Sequence, residues 1–130
     1  MGKEALVKLM LDAGANVNWR DLDKKTALYF AAEKWHEAVV RQLLEHNADV
    51  DAKAMGGWTA LHSAAGNGHE AVMSLLLENG ADIEMKCLDD CTPLAAAIDS
   101  GSEAVIKLLL AKGAKVDCLY WLIVSKTGPS

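Results

Sequence analysis

Displaced by 33 residues, the chain falls on itself: Thr26, Thr59 and Thr92 coincide, as do Leu28, Leu61 and Leu94, and Ala31, Ala64 and Ala97. A second set recurs four times, with Glu4, Glu37, Glu70 and Glu103 opening it and Ala15, Ala48, Ala81 and Ala114 closing it. Val17, Val50, Ile83 and Val116 follow two residues later. A fixed period of this length means that one supersecondary unit is copied and stacked, because no single copy can bury its own apolar face. Every local assignment must respect that phase.

The letters of one unit specify its parts. Thr92 before Pro93 is an N-cap hydroxyl ahead of a proline at the first helical position, where the missing N–H costs nothing. In the helix that follows, Leu61, Ala64 and Ala65 fall at i, i+3 and i+4, a face of small residues that allows close helix approach; Leu28, Ala31, Ala32 and Leu94, Ala97, Ile98 are its equivalents. After a break at Asn67-Gly68, a second helix is predicted from about His69 to Asn79, with Val72, Leu75 and Leu76 on one stripe. Gly14, Gly80, Gly113 and, in the remaining copy, Asn47 end that helix, the two residue types that accept the left-handed helix-ending conformation. The next dozen residues alternate polar and apolar before a turn-rich stretch, which predicts a β-hairpin arm.

With Thr59-Ala60-Leu61-His62-Ser63-Ala64-Ala65, Gly68-His69-Glu70-Ala71-Val72 and Leu75 to Ile83 in view, the chain resembles the ankyrin repeat family over residues 1–119. The resemblance implies an all-α solenoid of stacked helix-turn-helix units with β-hairpin arms. It divides the chain into a partial repeat at 1–20 (second helix and arm), full repeats at 21–53, 54–86 and 87–119, and a non-repeat tail at 120–130. Two departures stand out. Tyr29 and Ala95 replace His62 at the family's histidine, so the hydrogen bonds between units are expected to be incomplete. Trp35 occupies the turn position of Gly68 and Gly101, so either the turn is remodelled or Trp35 is strained. Asn18 also matches the family position that asparaginyl hydroxylases modify, although Asp51, Glu84 and Asp117 take that place in the other copies.

The ends are expected to be unusual. The leading half unit has no partner helix over Leu6, Leu9 and Met10, which predicts an uncovered apolar end and a longer array or a partner there. The tail Tyr120-Trp121-Leu122-Ile123-Val124 is expected to fold back as an improvised cap, the alternative being a sticky edge for self-association.

Composition excludes several roles. Apolar residues make up 52% but aromatics only 5%, so the core rests on Ala, Leu and Val rather than on the residues a β-sandwich needs. A net charge of -5 with interspersed signs leaves no basic face for nucleic acid. No apolar run approaches the roughly 20 residues of a membrane span. Three cysteines, Cys87, Cys91 and Cys118, with no secretory leader point to a reducing, intracellular compartment, cytoplasmic or nuclear.

No catalytic constellation emerges, and the expectation is no enzyme, no cofactor and no metal. Cys87 and Cys91 lack the four-ligand set of a zinc site, His62 is structural, His36 and His69 are explained by capping or solvation, and His46 favours a helix C-terminus. What remains is a protein-binding scaffold. Core positions keep their identity from copy to copy whereas solvent positions differ, and the variable positions of the arms and inner helices define a candidate surface. On the arms these are Arg20, Leu22, Asp23 and Lys25; Lys53, Met55 and Trp58; and Lys86, Leu88, Asp89 and Cys91, joined on the helix edges by Lys34, Asn67 and Asp99. Trp58 leads because an arm Trp facing solvent has no core duty and buried Trp dominates binding energies. The alternatives are an accessory or autoinhibitory segment of a larger enzyme or signalling protein, and a self-associating module joined through its bare ends.

Overall fold

The computed structural model describes residues 3–116, and the predicted tail at 120–130 lies outside them. Within that range the chain forms seven α-helices: α1 (Lys3–Asp12), α2 (Ala27–Glu33), α3 (Glu37–Glu45), α4 (Ala60–Gly66), α5 (Glu70–Glu78), α6 (Pro93–Ser100) and α7 (Glu103–Ala111). The short helices α2, α4 and α6 pack in one row, and α1, α3, α5 and α7 pack behind them in another.

Both ends of each helix follow from the repeated letters. The hydroxyls of Thr26, Thr59 and Thr92 accept the backbone N–H of Tyr29, His62 and Ala95, three residues on, and so cap α2, α4 and α6. After α3, α5 and α7, the N–H of Ala48, Ala81 and Ala114 returns to the carbonyl of Leu43, Leu76 and Leu109 at 3.0 Å, closing each helix over Asn47, Gly80 and Gly113. The core is the small-residue face: Ala31, Ala32, Ala64, Ala65, Ala96 and Ala97 are buried with Leu28, Leu61, Leu76, Leu94 and Leu109.

The arms depart from the predicted hairpins. No strand occurs among the described residues; each arm is a tight turn closed by one backbone pair, as where Cys87 N–H donates to the Cys91 carbonyl at 3.0 Å and Ala54 N–H to that of Trp58 at 2.7 Å. Each leg has too few residues for a ladder, and its polar groups bond to the adjacent arm instead. Met55 N–H donates to the Asp23 carbonyl (3.0 Å) and Leu88 N–H to that of Gly56 (2.9 Å), so the arms form one continuous ribbon. Gly57 is fixed by that approach: its φ is +79°, and a Cβ there would lie 3.1 Å from Leu88 N.

Candidate functional site

Side chains as well as apolar area lock the units together. At matching positions, Asn18 Oδ1, Asp51 Oδ1 and Glu84 Oε2 accept the N–H of Asp49, Asp82 and Lys115 at 2.8, 3.0 and 2.7 Å. Inside each unit, Asn16, Asp49 and Asp82 accept the N–H two residues ahead and shape the loop that delivers the clamp. Asn18 is therefore one rung of a structural series, which its neutral amide had obscured in the sequence.

The histidines are used in the same way. Thr59 N–H donates to His62 Nδ1 at 3.2 Å, leaving Nε2–H to donate to the Cys91 carbonyl of the next unit at 2.6 Å. Burial holds the His62 pKa below its ordinary value. The histidine bond is indeed missing from the other units, but Tyr29 partly replaces it: its half-buried hydroxyl meets Ser63 of α4, and burial followed by the Glu33 charge raises its pKa.

His69 is a correction to the solvated reading. It is buried, donates from Nδ1 to the Ala32 carbonyl of the preceding unit at 2.6 Å, and also has a pKa lowered by burial. His46 behaves as expected at a helix end: Nδ1 donates to the Gln42 carbonyl at 2.9 Å while Nε2 faces Asp12 at 3.4 Å, and these contacts raise its pKa. Beside His69, Trp35 resolves the question posed by the sequence. The turn is retained, Trp35 sits at φ +65° where Gly68 has +72°, and its indole rests edge-on against His69 with centroids 4.1 Å apart. The strain of a left-handed tryptophan is therefore real.

The predicted partner residues line more than one hollow. On the inner wall a cleft of about 370 Å³ brings Met55, Trp58 and Asn67 together with Tyr29, Glu33, Ser63 and Gly66. Beneath the arms a second cleft of about 700 Å³ collects Arg20, Leu22, Lys53 and Leu88, with Met55 on the crest between the two. Lys34 belongs to neither; it lines a hollow of about 530 Å³ at the α1 end with Phe30 and Trp35. Asp23, Lys86 and Asp89 are exposed on the arms and Asp99 at the end of α6, outside both clefts.

Three residues differ from their expected setting. Trp58 is half-buried against the core, its ring 5.2 Å from that of His62. It does have a core duty. Lys25 lies over the Tyr29 and Phe30 rings at 5.5 and 5.3 Å. Cys91 turns into its arm, where its thiol donates to the Thr92 carbonyl (3.5 Å), and burial together with neighbouring Cys87 pushes its pKa up to about 11.

Cys87 Sγ accepts the N–H of Asp89 and Cys91 at 3.4 and 3.3 Å, the role that Asp21 Oδ1 plays for Asp23 and Lys25 in the first arm. The cysteines are thus part of the arm's scaffolding. Among the described residues, no group of three or more His, Cys, Asp or Glu side chains is placed to hold a metal ion.

A family model for ankyrin repeats, in 3 copies, matches residues 1–87 and 54–119. With its two rows of helices, its capped turns and its ribbon of arms, the chain belongs to the ankyrin repeat family, whose members generally serve as protein-interaction modules. None of the curated proteins gives a significant match. No helix among the described residues is long and apolar enough to cross a membrane.

Proposed function

We propose that this chain is a non-catalytic scaffold that binds another protein on its concave wall. The observation that carries the reading is the inner cleft, where Met55, Trp58 and Asn67 meet Tyr29 and Glu33 on a backbone fixed by capped helices. A preformed wall lowers the ordering cost of binding, and an amphipathic ring at its centre supplies a hot spot. The imidazoles of His62, His69 and His46 are each engaged by backbone carbonyls, which supports a role without acid–base chemistry. Charge reversal with Glu33→Lys and charge introduction with Asn67→Arg should each abolish capture of the partner from a cell extract while the helical circular dichroism stays unchanged. Undiminished capture by both variants would place the partner elsewhere.

A second reading, self-association through the α1 end, has its own support: Leu6, Leu9, Met10 and Phe30 are exposed there. Light scattering across a concentration series tests it, and a mass that stays at one chain throughout would remove it.

A further inference from the structure

Among the described residues, Glu33 is the one ionised side chain that lines the inner cleft. It stands half-buried at the last position of α2, and no hydrogen bond or ion pair within those residues takes it up. Its charge acts inside the cleft: after burial, it is what raises the pKa of Tyr29. Lys25 lies over the Tyr29 and Phe30 rings instead and does not line the cleft. A carboxylate left without a cation in a recess walled by aromatic rings is complementary to a positive charge brought from outside.

The neutral lining narrows the choice of cation. The Asn67 amide donates an N–H to the Ser63 carbonyl at 2.8 Å, which leaves its Oδ1 as a second acceptor in the same cleft. The Tyr29 and Ser63 hydroxyls engage each other. Trp58 adds an aromatic ring whose neighbour His62 is kept neutral near pH 7 by burial, so no cation already occupies it. Met55, 61% exposed, adds an apolar contact at the rim. An ammonium is a compact, strongly hydrated point charge, whereas a guanidinium is flat, less hydrated, stacks on aromatic faces and carries five donors for separate acceptors. A carboxylate, an amide oxygen and an indole together suit the guanidinium better.

Taking the concave wall as the binding surface, we infer that its inner cleft is an arginine subsite: the partner seats one arginine side chain there, paired with Glu33 and Asn67 Oδ1 and stacked on Trp58. The test needs no identified partner. Isotope-labelled protein is titrated by NMR with acetyl-arginine methylamide, and with the lysine and the neutral citrulline counterparts of that probe. The Trp58 indole and Asn67 side-chain amide signals shift with the arginine probe, while the indole of Trp19, 66% exposed on the first arm, stays in place. The lysine probe binds about three-fold more weakly and the citrulline probe about five-fold. Glu33→Gln weakens the arginine probe about five-fold, Glu33→Asp restores most of that loss, and Trp58→Leu costs about three-fold, all with unchanged helical circular dichroism. Should Trp58→Leu fail to fold, the Glu33 pair decides. Absent shifts at Trp58 and Asn67, equal shifts at Trp19, equal binding of either control probe, or undiminished binding by Glu33→Gln would each overturn the assignment. Failure of the concave wall as the partner's seat looks different: the probe shifts persist while Glu33→Lys and Asn67→Arg still capture the partner.

Discussion

Helices α2 and α4 have the same length and share four of their seven residues, yet one is half open and the other is sealed. In α4 every residue from Ala60 to Ala65 is buried between α2 and α6. In α2 the residues facing away from α4 have no cover: Ala27 is exposed, and Phe30 is 40% exposed where its counterpart Ser63 is 4%. Burial in α2 and α4 therefore follows the neighbours each helix has as well as its own letters. Stability in such an array is carried by the interfaces between neighbours, and the ends hold the least of it.

Substitutions sharpen that contrast. The largest effect is expected at the centre: Leu76→Ala, in a fully buried position of α5, should cost about 2–5 kcal/mol, whereas Leu9→Ala on exposed α1 should stay within about 0.5 kcal/mol, both read from urea denaturation. Equal losses would break the comparison. Next comes the tie across the α4–α6 interface. His62→Ala strands the Cys91 carbonyl and the Thr59 N–H, and should cost about 2–3 kcal/mol by the same assay. The matching change Tyr29→Ala, in the half-open unit, should cost less.

Gly68→Ala places a Cβ 3.2 Å from Ser102 Oγ at φ +72° and should cost about 1–2 kcal/mol. Trp35 holds that conformation in contact with the His69 ring, so Trp35→Ala, which keeps the strain and removes the contact, should also lower the thermal midpoint.

The smallest effect is on pH dependence. His62 and His69 have folded-state pKa values below the ordinary ~6.5, so their stability contribution is complete above that value and withdrawn as pH falls below it. His46, raised, works the other way: its contribution is present below ~6.5 and lost as pH rises through its higher value. Being the more exposed, it is the weaker of the two influences. Denaturation midpoints should fall from pH 7.5 to pH 5.5, and His69→Gln should flatten that slope; an unchanged slope would mean that His69 is not held neutral.

Much of this was legible in the letters because it is local. A threonine three residues ahead of its N–H partner caps a helix wherever it occurs, and a glycine or Asn47 ends one, so helix limits such as α5 agree with the sequence reading to within a residue. What escaped depends on contacts about 30 residues apart. The clamp at Asn18, Asp51 and Glu84 carried a signal, an oxygen acceptor at the same register in three copies, but three different residue types concealed their common function. His69 resembled an exposed turn residue because nothing local shows that Ala32 closes over it. Register gives the row a residue stands in but not the hollow it lines, so the division between the two clefts was not legible.

The units are stable only through their neighbours, and native-state hydrogen exchange reads this residue by residue. Protection should be greatest in Leu61–Ala65 of α4 and Val72–Leu76 of α5, and should fall through α2 to near-unprotected amides at Leu6–Met10 of α1. Uniform protection from α1 to α7, lost in a single step, would contradict it.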